Sequence, residues 1–240
     1  MTRSLLSFRE FPSETGTHAG TIIAFHGRGG DLEQLIPLCR AAAPEFDIVA
    51  AEAPRSMIPY TVEFTLDYRG YSWYPVQDGG CPEPVRFGDN LWYAEQLVVD
   101  VLERQRSESP VFLLGYDEGA VLALNLAGTM PEFLAGVVSI RGYLPKIPGW
   151  TLPVADVKRL PILLASDSSF EGIPEAMSAI TADELRRLGA NVTVLSLPKI
   201  YNDPLAAEAI LAAWFQEVNS ANSHRAFLHS GGSTSDHTTN

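Results

Sequence analysis

The stretch Val111-Phe112-Leu113-Leu114-Gly115-Tyr116-Asp117-Glu118-Gly119-Ala120 decides how this chain is read. An uninterrupted apolar run without polar alternation is the pattern of a strand covered on both faces. It passes through a G-x-x-x-G turn directly into a predicted helix over 118–129. Glycines on either side of a single turned residue mark a bend so tight that neighbouring side chains would clash. The residue at the point of the bend is Asp117, which aims a carboxylate out at the strand's end.

Outward from this stretch, short β-rich runs alternate with helical patterns, as βαβ units around a parallel sheet do. The predicted strands are Thr21–Phe25, Asp47–Ala51, Val111–Tyr116, Gly136–Ile140, Pro161–Ala165 and Val192–Leu197, with an edge strand near Leu5–Phe11. The predicted helices are Leu32–Ala43 capped by Asp31, Asn90–Arg106 capped by Asp89, Glu118–Thr129, Pro174–Leu188 and Leu205–Val218. Leu91, Ala94, Leu97, Val98, Val101 and Leu102 form the clearest 3.6-residue stripe. Residues 1–218 thus read as one α/β domain and 219–240 as a polar, disordered tail. The aromatic, glycine-rich stretch 60–84 reads either as a surface hairpin or as a lid over a site.

Composition agrees with a compact domain. Charged residues are 19 % against a usual share of about 25 %, apolar residues 46 %, and the chain length of 240 suits a single large core. A net charge of −12 argues against nucleic acid or an anionic lipid surface as partner. No apolar run reaches the ~18 residues of a membrane span, and Met1–Arg9 lacks the apolar centre of a signal peptide. Cys39 and Cys81 show neither metal spacing nor a disulfide framework, so a cytoplasmic location is expected. With no Walker loop, no G-x-G-x-x-G after the first strand and no metal-ligand cluster, neither cofactor nor metal is expected. A homodimer is left open.

A strand, a glycine-flanked turn and a helix together make a nucleophile elbow. A second element agrees with it. Phe25-His26-Gly27-Arg28-Gly29-Gly30 follows an early strand, and such a loop supplies one backbone donor of an oxyanion hole. The residue after the elbow supplies the other, so the expected donors are the amides of Arg28 and Glu118. With these landmarks the chain resembles the phospholipase/carboxylesterase group of α/β-hydrolases, which includes acyl-protein thioesterases. The resemblance runs from about Thr21 to Val218. It is carried further by Ala53-Pro54-Arg55, Ser72-Trp73-Tyr74, Arg141-Gly142-Tyr143-Leu144-Pro145 and Pro161-Ile162-Leu163-Leu164-Ala165. It implies an α/β-hydrolase fold, a mainly parallel twisted sheet with helices on both faces and its site at the strands' C-terminal edge.

The resemblance also implies a serine, aspartate and histidine triad, and here the chain departs from the family. Asp117 stands in the serine position. Counting back from Pro174 puts Phe170 at the family's acid, with Asp167 and Glu171 nearby; counting to the histidine position gives Tyr201 or Asn202. Neither of these relays a proton near neutral pH as an imidazole does. His18, His224, His229 and His237 stand elsewhere, and His26 belongs to the oxyanion loop, where a structural role is expected.

Three functions remain. A carboxylate beside oxyanion donors suits proton abstraction next to a carbonyl, hence elimination, isomerisation or ring closure of a hydrophobic small molecule. Tyr71, Trp73 and Tyr143 would then line its pocket. Alternatively Asp117 only caps the following helix, and the protein is a non-catalytic ligand binder. As a third option Asp117 is the nucleophile, as in epoxide hydrolases and haloalkane dehalogenases, although those enzymes use a histidine to hydrolyse the ester.

Overall fold

A computed structural model of the protein describes residues 4–57, 70–77, 81–105, 109–149, 156–157, 159–167, 175–196 and 204–230. The strands are β1 (Ser7–Phe11), β2 (Thr21–Phe25), β3 (Asp47–Glu52), β4 (Arg55–Ser56), β5 (Tyr71–Ser72), β6 (Val111–Tyr116), β7 (Gly136–Ile140), β8 (Pro161–Ser166) and β9 (Asn191–Ser196). The helices are α1 (Ile36–Ala42), α2 (Pro84–Arg104), α3 (Glu118–Thr129), α4 (Glu175–Arg187) and α5 (Glu208–Ser230).

Seven strands form one sheet in the order β1-β3-β2-β6-β7-β8-β9, parallel except for β1 at one edge. Every residue of β2, β6 and β7 is buried, as their unbroken apolar character requires. Period-two alternation sends Ile23, Phe25, Val111, Leu113 and Val137 into the core shared with α2, α3 and α4. Ile22, Ala24, Phe112, Leu114 and Val138 face the other layer, shared with α1 and α5. There Phe112 meets Phe46 and Phe215 edge-on at centroid distances of 5.5 and 5.4 Å. Such aromatic pairs add about 0.5–1.5 kcal/mol each beyond their area burial. The mainly parallel sheet covered by helices on both faces is the α/β-hydrolase architecture expected from the sequence.

Several boundaries differ from the sequence reading. Helix α1 begins at Ile36 instead of Leu32, with Pro37 in its first turn, and Asp31 caps only a preceding turn by accepting from Glu33 N at 2.9 Å. Helix α2 begins at Pro84, before the expected Asn90. Glu83, not Asp89, caps it, accepting from Val85 N and Arg86 N. Helix α5 continues past Val218 to Ser230, so the segment expected to be disordered from residue 219 is helical as far as it is described. No glycine or proline interrupts 219–230, and Gly231-Gly232 follow at once. Of the aromatic stretch, Tyr60, Phe64 and Tyr68 lie outside the described residues. The part that is described, 70–77, pairs Arg55 with Ser72 and Ser56 with Tyr71. Among the described residues no helix is long and apolar enough to cross a membrane.

Candidate active site

The strand order reverses between β2 and β6, since β3 lies outside β2 on one side and β7 outside β6 on the other. Such a switch point opens a crevice at the strands' carboxyl ends. The β2–β6 register pairs Phe25 with Gly115, so the next residues of both chains, His26 to Arg28 and Asp117, meet at that crevice.

Asp117 has φ 50° and ψ −114°, backbone angles at which a Cβ is crowded and glycine is the usual occupant. The flanking glycines make this bend feasible. A Cβ on Gly115 would lie 2.3 Å from Gly119 O, and one on Gly119 would lie 2.2 Å from Phe25 O and 2.5 Å from His26 O. The turn is anchored by Asp117 N donating to Ile140 O at 2.9 Å, and by Asp117 O accepting from Ala120 N and Val121 N. The side chain makes no capping hydrogen bond to α3, which removes the reading of Asp117 as a helix cap. Its Oδ2 instead accepts the Arg28 amide at 3.3 Å. Oδ1 faces no donor among the described residues. Of the two expected donors, Arg28 N reaches the carboxylate, and Glu118 N is the first amide of α3, among those a helix leaves without an internal acceptor.

His26 is a structural residue. It is 2 % exposed, its Nδ1 lies 2.7 Å from Gly27 O and its Nε2 accepts Ala53 N at 3.0 Å. That arrangement requires the neutral ring, and burial holds its pKa below the ordinary value of 6.5. Trp73, expected as a pocket wall, is fully buried. Its Nε1 donates to His26 O at 2.8 Å and its ring packs on His26 and Phe25 at 5.2 and 5.5 Å. It supports the loop from below, and it also contributes to the wall of a cavity of about 400 Å³ together with Pro54, Arg55, Asn90 and Tyr93. Tyr71 is half-buried, and its backbone exchanges bonds with the loop, accepting Gly29 N at 2.9 Å and donating to Gly30 O at 2.8 Å. Tyr143 packs half-buried against the same core, near Asp117 and Glu118. Burial raises its pKa, with smaller contributions from Cys81 and the two carboxylates, so the phenol keeps its proton.

The side chain of Glu118 is the functional group that sequence reasoning missed. It is 5 % exposed and accepts Arg28 Nη1 at 2.9 Å, Trp73 N at 2.8 Å and Ser72 Oγ at 2.9 Å. Burial holds its pKa above the ordinary value, and those donors offset the rise only in part. A warning was present in the sequence. Every residue of α3 from Gly119 to Gly128 is apolar or uncharged and buried, so an acid at its head must be buried too and needs partners.

Asp167 is buried immediately after β8, on the same edge of the sheet as Asp117. Glu171, Tyr201, Asn202 and Phe170 lie outside the described residues. Cys81 is half-buried with Sγ 3.6 Å from Lys146 O, and buried Cys39 has its thiol pushed up to about 12. No cluster of three or more potential metal ligands occurs among the described residues. A cavity of about 500 Å³ opens at the opposite end of the strands, lined by Glu10, His18, Thr21, Asp47, Arg104 and Gln105. Its polar groups are paired with one another, His18 with Asp47, Arg104 with Glu10 and Gln105 with Thr21.

Residues 9–202 match the family model described as phospholipase/carboxylesterase. The chain belongs to the phospholipase/carboxylesterase family. The acyl-protein thioesterase 1 of Aspergillus fumigatus is 27 % identical over 218 residues, which cover 84 % of this chain and 88 % of that protein. A putative esterase, NocK, of Nocardia uniformis subsp. tsuyamanensis is 29 % identical over 158 residues, 64 % of this chain. The match spans only 42 % of NocK's own length. Among solved structures, a carboxylesterase from Mesorhizobium loti superposes with a TM-score of 0.72 at 23 % identity, covering 90 % of this chain and 97 % of the other. The acyl-protein thioesterase 2 of Zea mays gives 0.67 at 18 % identity, covering 89 % and 99 %. Similarities at this level establish the α/β-hydrolase fold shared with these family members.

Proposed function

We propose that this family member is an enzyme in which Asp117, standing in the serine position, works as acid and base on a hydrophobic small molecule carrying a carbonyl. One observation carries the reading. The Asp117 carboxylate is held in a strained backbone without capping its helix, and its Oδ2 accepts the Arg28 amide at 3.3 Å. Strain of this kind costs about 1–3 kcal/mol and persists where the surroundings impose it, typically at working sites. On binding, the substrate carbonyl replaces Oδ2 at the Arg28 amide, a long contact and easily exchanged. Oδ1 then takes the proton from the carbon next to the carbonyl. The C–H electron pair moves into an enolate, whose oxygen is held by the amides of Arg28 and Glu118. The enolate collapses by expelling a leaving group, by closing a ring or by taking the proton back elsewhere.

The same geometry favours a second reading. With Oδ2 on the Arg28 amide, the other carboxylate oxygen would attack an electrophilic carbon, as a nucleophilic aspartate does. The covalent ester so formed needs a base to deliver water. Tyr201 and Asn202, which the family resemblance puts at the histidine position, carry no imidazole, and for that reason this reading stands second.

The test compares metabolite profiles of cells carrying the wild-type chain and Asp117→Asn, which keeps the side-chain shape and removes the base. An accumulated compound that binds purified Asp117→Asn as tightly as wild type is the expected result. Identical profiles would remove the acid–base mechanism and leave a ligand-binding protein.

A further inference from the structure

The Glu118 carboxylate lies between two segments far apart in the chain. On one side is the oxyanion loop, reached through Arg28 Nη1 at 2.9 Å. On the other is the 71–74 segment, reached through Ser72 Oγ at 2.9 Å and Trp73 N at 2.8 Å. The segments are also joined to each other, by the paired backbone bonds between Gly29, Gly30 and Tyr71 and by the Trp73 indole on His26 O. Loop and segment therefore form one unit, fastened to the head of α3 by the Glu118 side chain next to Asp117.

We propose that the Glu118 side chain is the positioning residue of the oxyanion site, clamping the Arg28 loop and the Ser72–Trp73 segment to α3 so that the Arg28 amide meets Asp117. The role rests on the Arg28 amide being an oxyanion donor, and it holds whichever of the two mechanisms Asp117 follows. A buried carboxylate is costly unless several donors meet it, and here three separate groups do. The charge itself is needed on one side only. A neutral acceptor serves Trp73 N and Ser72 Oγ, whereas a guanidinium partly open to water is held in place by an ion and loosely by an amide. The side chain of Arg28 is 42 % exposed and that of Glu118 is 5 % exposed, so the clamp draws most of its hold from the buried end. Placement matters because oxyanion donors act over a narrow range of distance, and a 1 Å error is enough to lose about a hundredfold in rate.

The test follows amide hydrogen exchange and the Arg28 amide resonance in wild type, Glu118→Gln, Arg28→Met and Arg28→Lys. In Glu118→Gln the Gly29 and Gly30 amides should exchange about tenfold faster. The Trp73 amide and the β6 amides should keep their wild-type rates. The Arg28 amide proton should move upfield, toward its position in Asp117→Ala. Arg28→Met should reproduce the loop effect alone, and Arg28→Lys should restore it in part. Unchanged Gly29 and Gly30 exchange with an unmoved Arg28 resonance in Glu118→Gln would overturn the proposal. If Glu118→Gln unfolds, the two arginine variants still decide. Asp117→Asn should leave the loop's exchange unchanged, so the mechanism at Asp117 and the clamp at Glu118 can fail separately.

Discussion

Replacing Asp117 by glycine and by alanine measures how much the site strains its backbone. At φ 50° and ψ −114° a residue with a Cβ carries about 1–3 kcal/mol of strain. Glycine relieves it but loses about 0.5–1 kcal/mol more conformational entropy on folding. Alanine keeps the strained Cβ, and both variants lose the same 3.3 Å contact to Arg28 N. That contact therefore cancels in the comparison. The difference is about 1 kcal/mol in favour of glycine, with a range of ~0–2.5. In a domain of this size it corresponds to a Tm about 2–4 °C higher for Asp117→Gly than for Asp117→Ala. Calorimetry at one pH on both variants and wild type reads it directly. An alanine variant more stable than the glycine variant by about 0.5–1 kcal/mol, the conformational-entropy difference alone, would show that the elbow is not strained, and the inference from strain to function would lose its basis.

Other outcomes follow from the same geometry. Gly119→Ala places a Cβ 2.2 Å from the Phe25 carbonyl, and urea unfolding should show a loss of about 3 kcal/mol. Trp73→Phe leaves His26 O without its indole donor and a gap beneath the loop, a cost of about 2–4 kcal/mol. His26 has a folded pKa below 6.5, so its contribution to stability is present above pH 6.5 and is lost as pH falls toward the folded value. Tm measured from pH 7.5 downward should therefore drop less steeply in His26→Gln than in wild type. Glu118 has the opposite sign. Its folded pKa is raised above 4.5, so wild type loses stability as pH rises from there through the folded value, a slope that Glu118→Gln should lack. Should Asp117 act as nucleophile, single turnover in ¹⁸O-labelled water would place the label in the Asp117 carboxylate; the acid–base mechanism leaves it unlabelled.

The fold was legible because its strands are buried on both faces. Val111–Tyr116, Thr21–Phe25 and Gly136–Ile140 follow to the residue from their unbroken apolar runs, and the elbow from Gly115 and Gly119. Helix starts were less legible. Glu83-Pro84 begins α2 where Asp89 looked the better cap, because a glutamate can cap as well and Gly88 is tolerated inside a helix packed through Phe87 and Leu91. The oxyanion loop and the position of Asp117 came from local spacing. The supports beneath them did not, since Ser72, Trp73 and Arg28 reach Glu118 from 46, 45 and 90 residues away. Trp73 read as a pocket wall because aromatic residues in a glycine-rich stretch look exposed. Only its contacts with His26 and Phe25 show it to be core.

The central claim is that a carboxylate, and not a serine relay, does the work at this elbow, and hydrolysis of p-nitrophenyl acetate and butyrate tests it most directly. Wild type and Asp117→Ser should both stay at background, because restoring the hydroxyl alone supplies no base to activate it. Turnover by wild type at ordinary esterase rates, about 1–10³ per second, would contradict the claim.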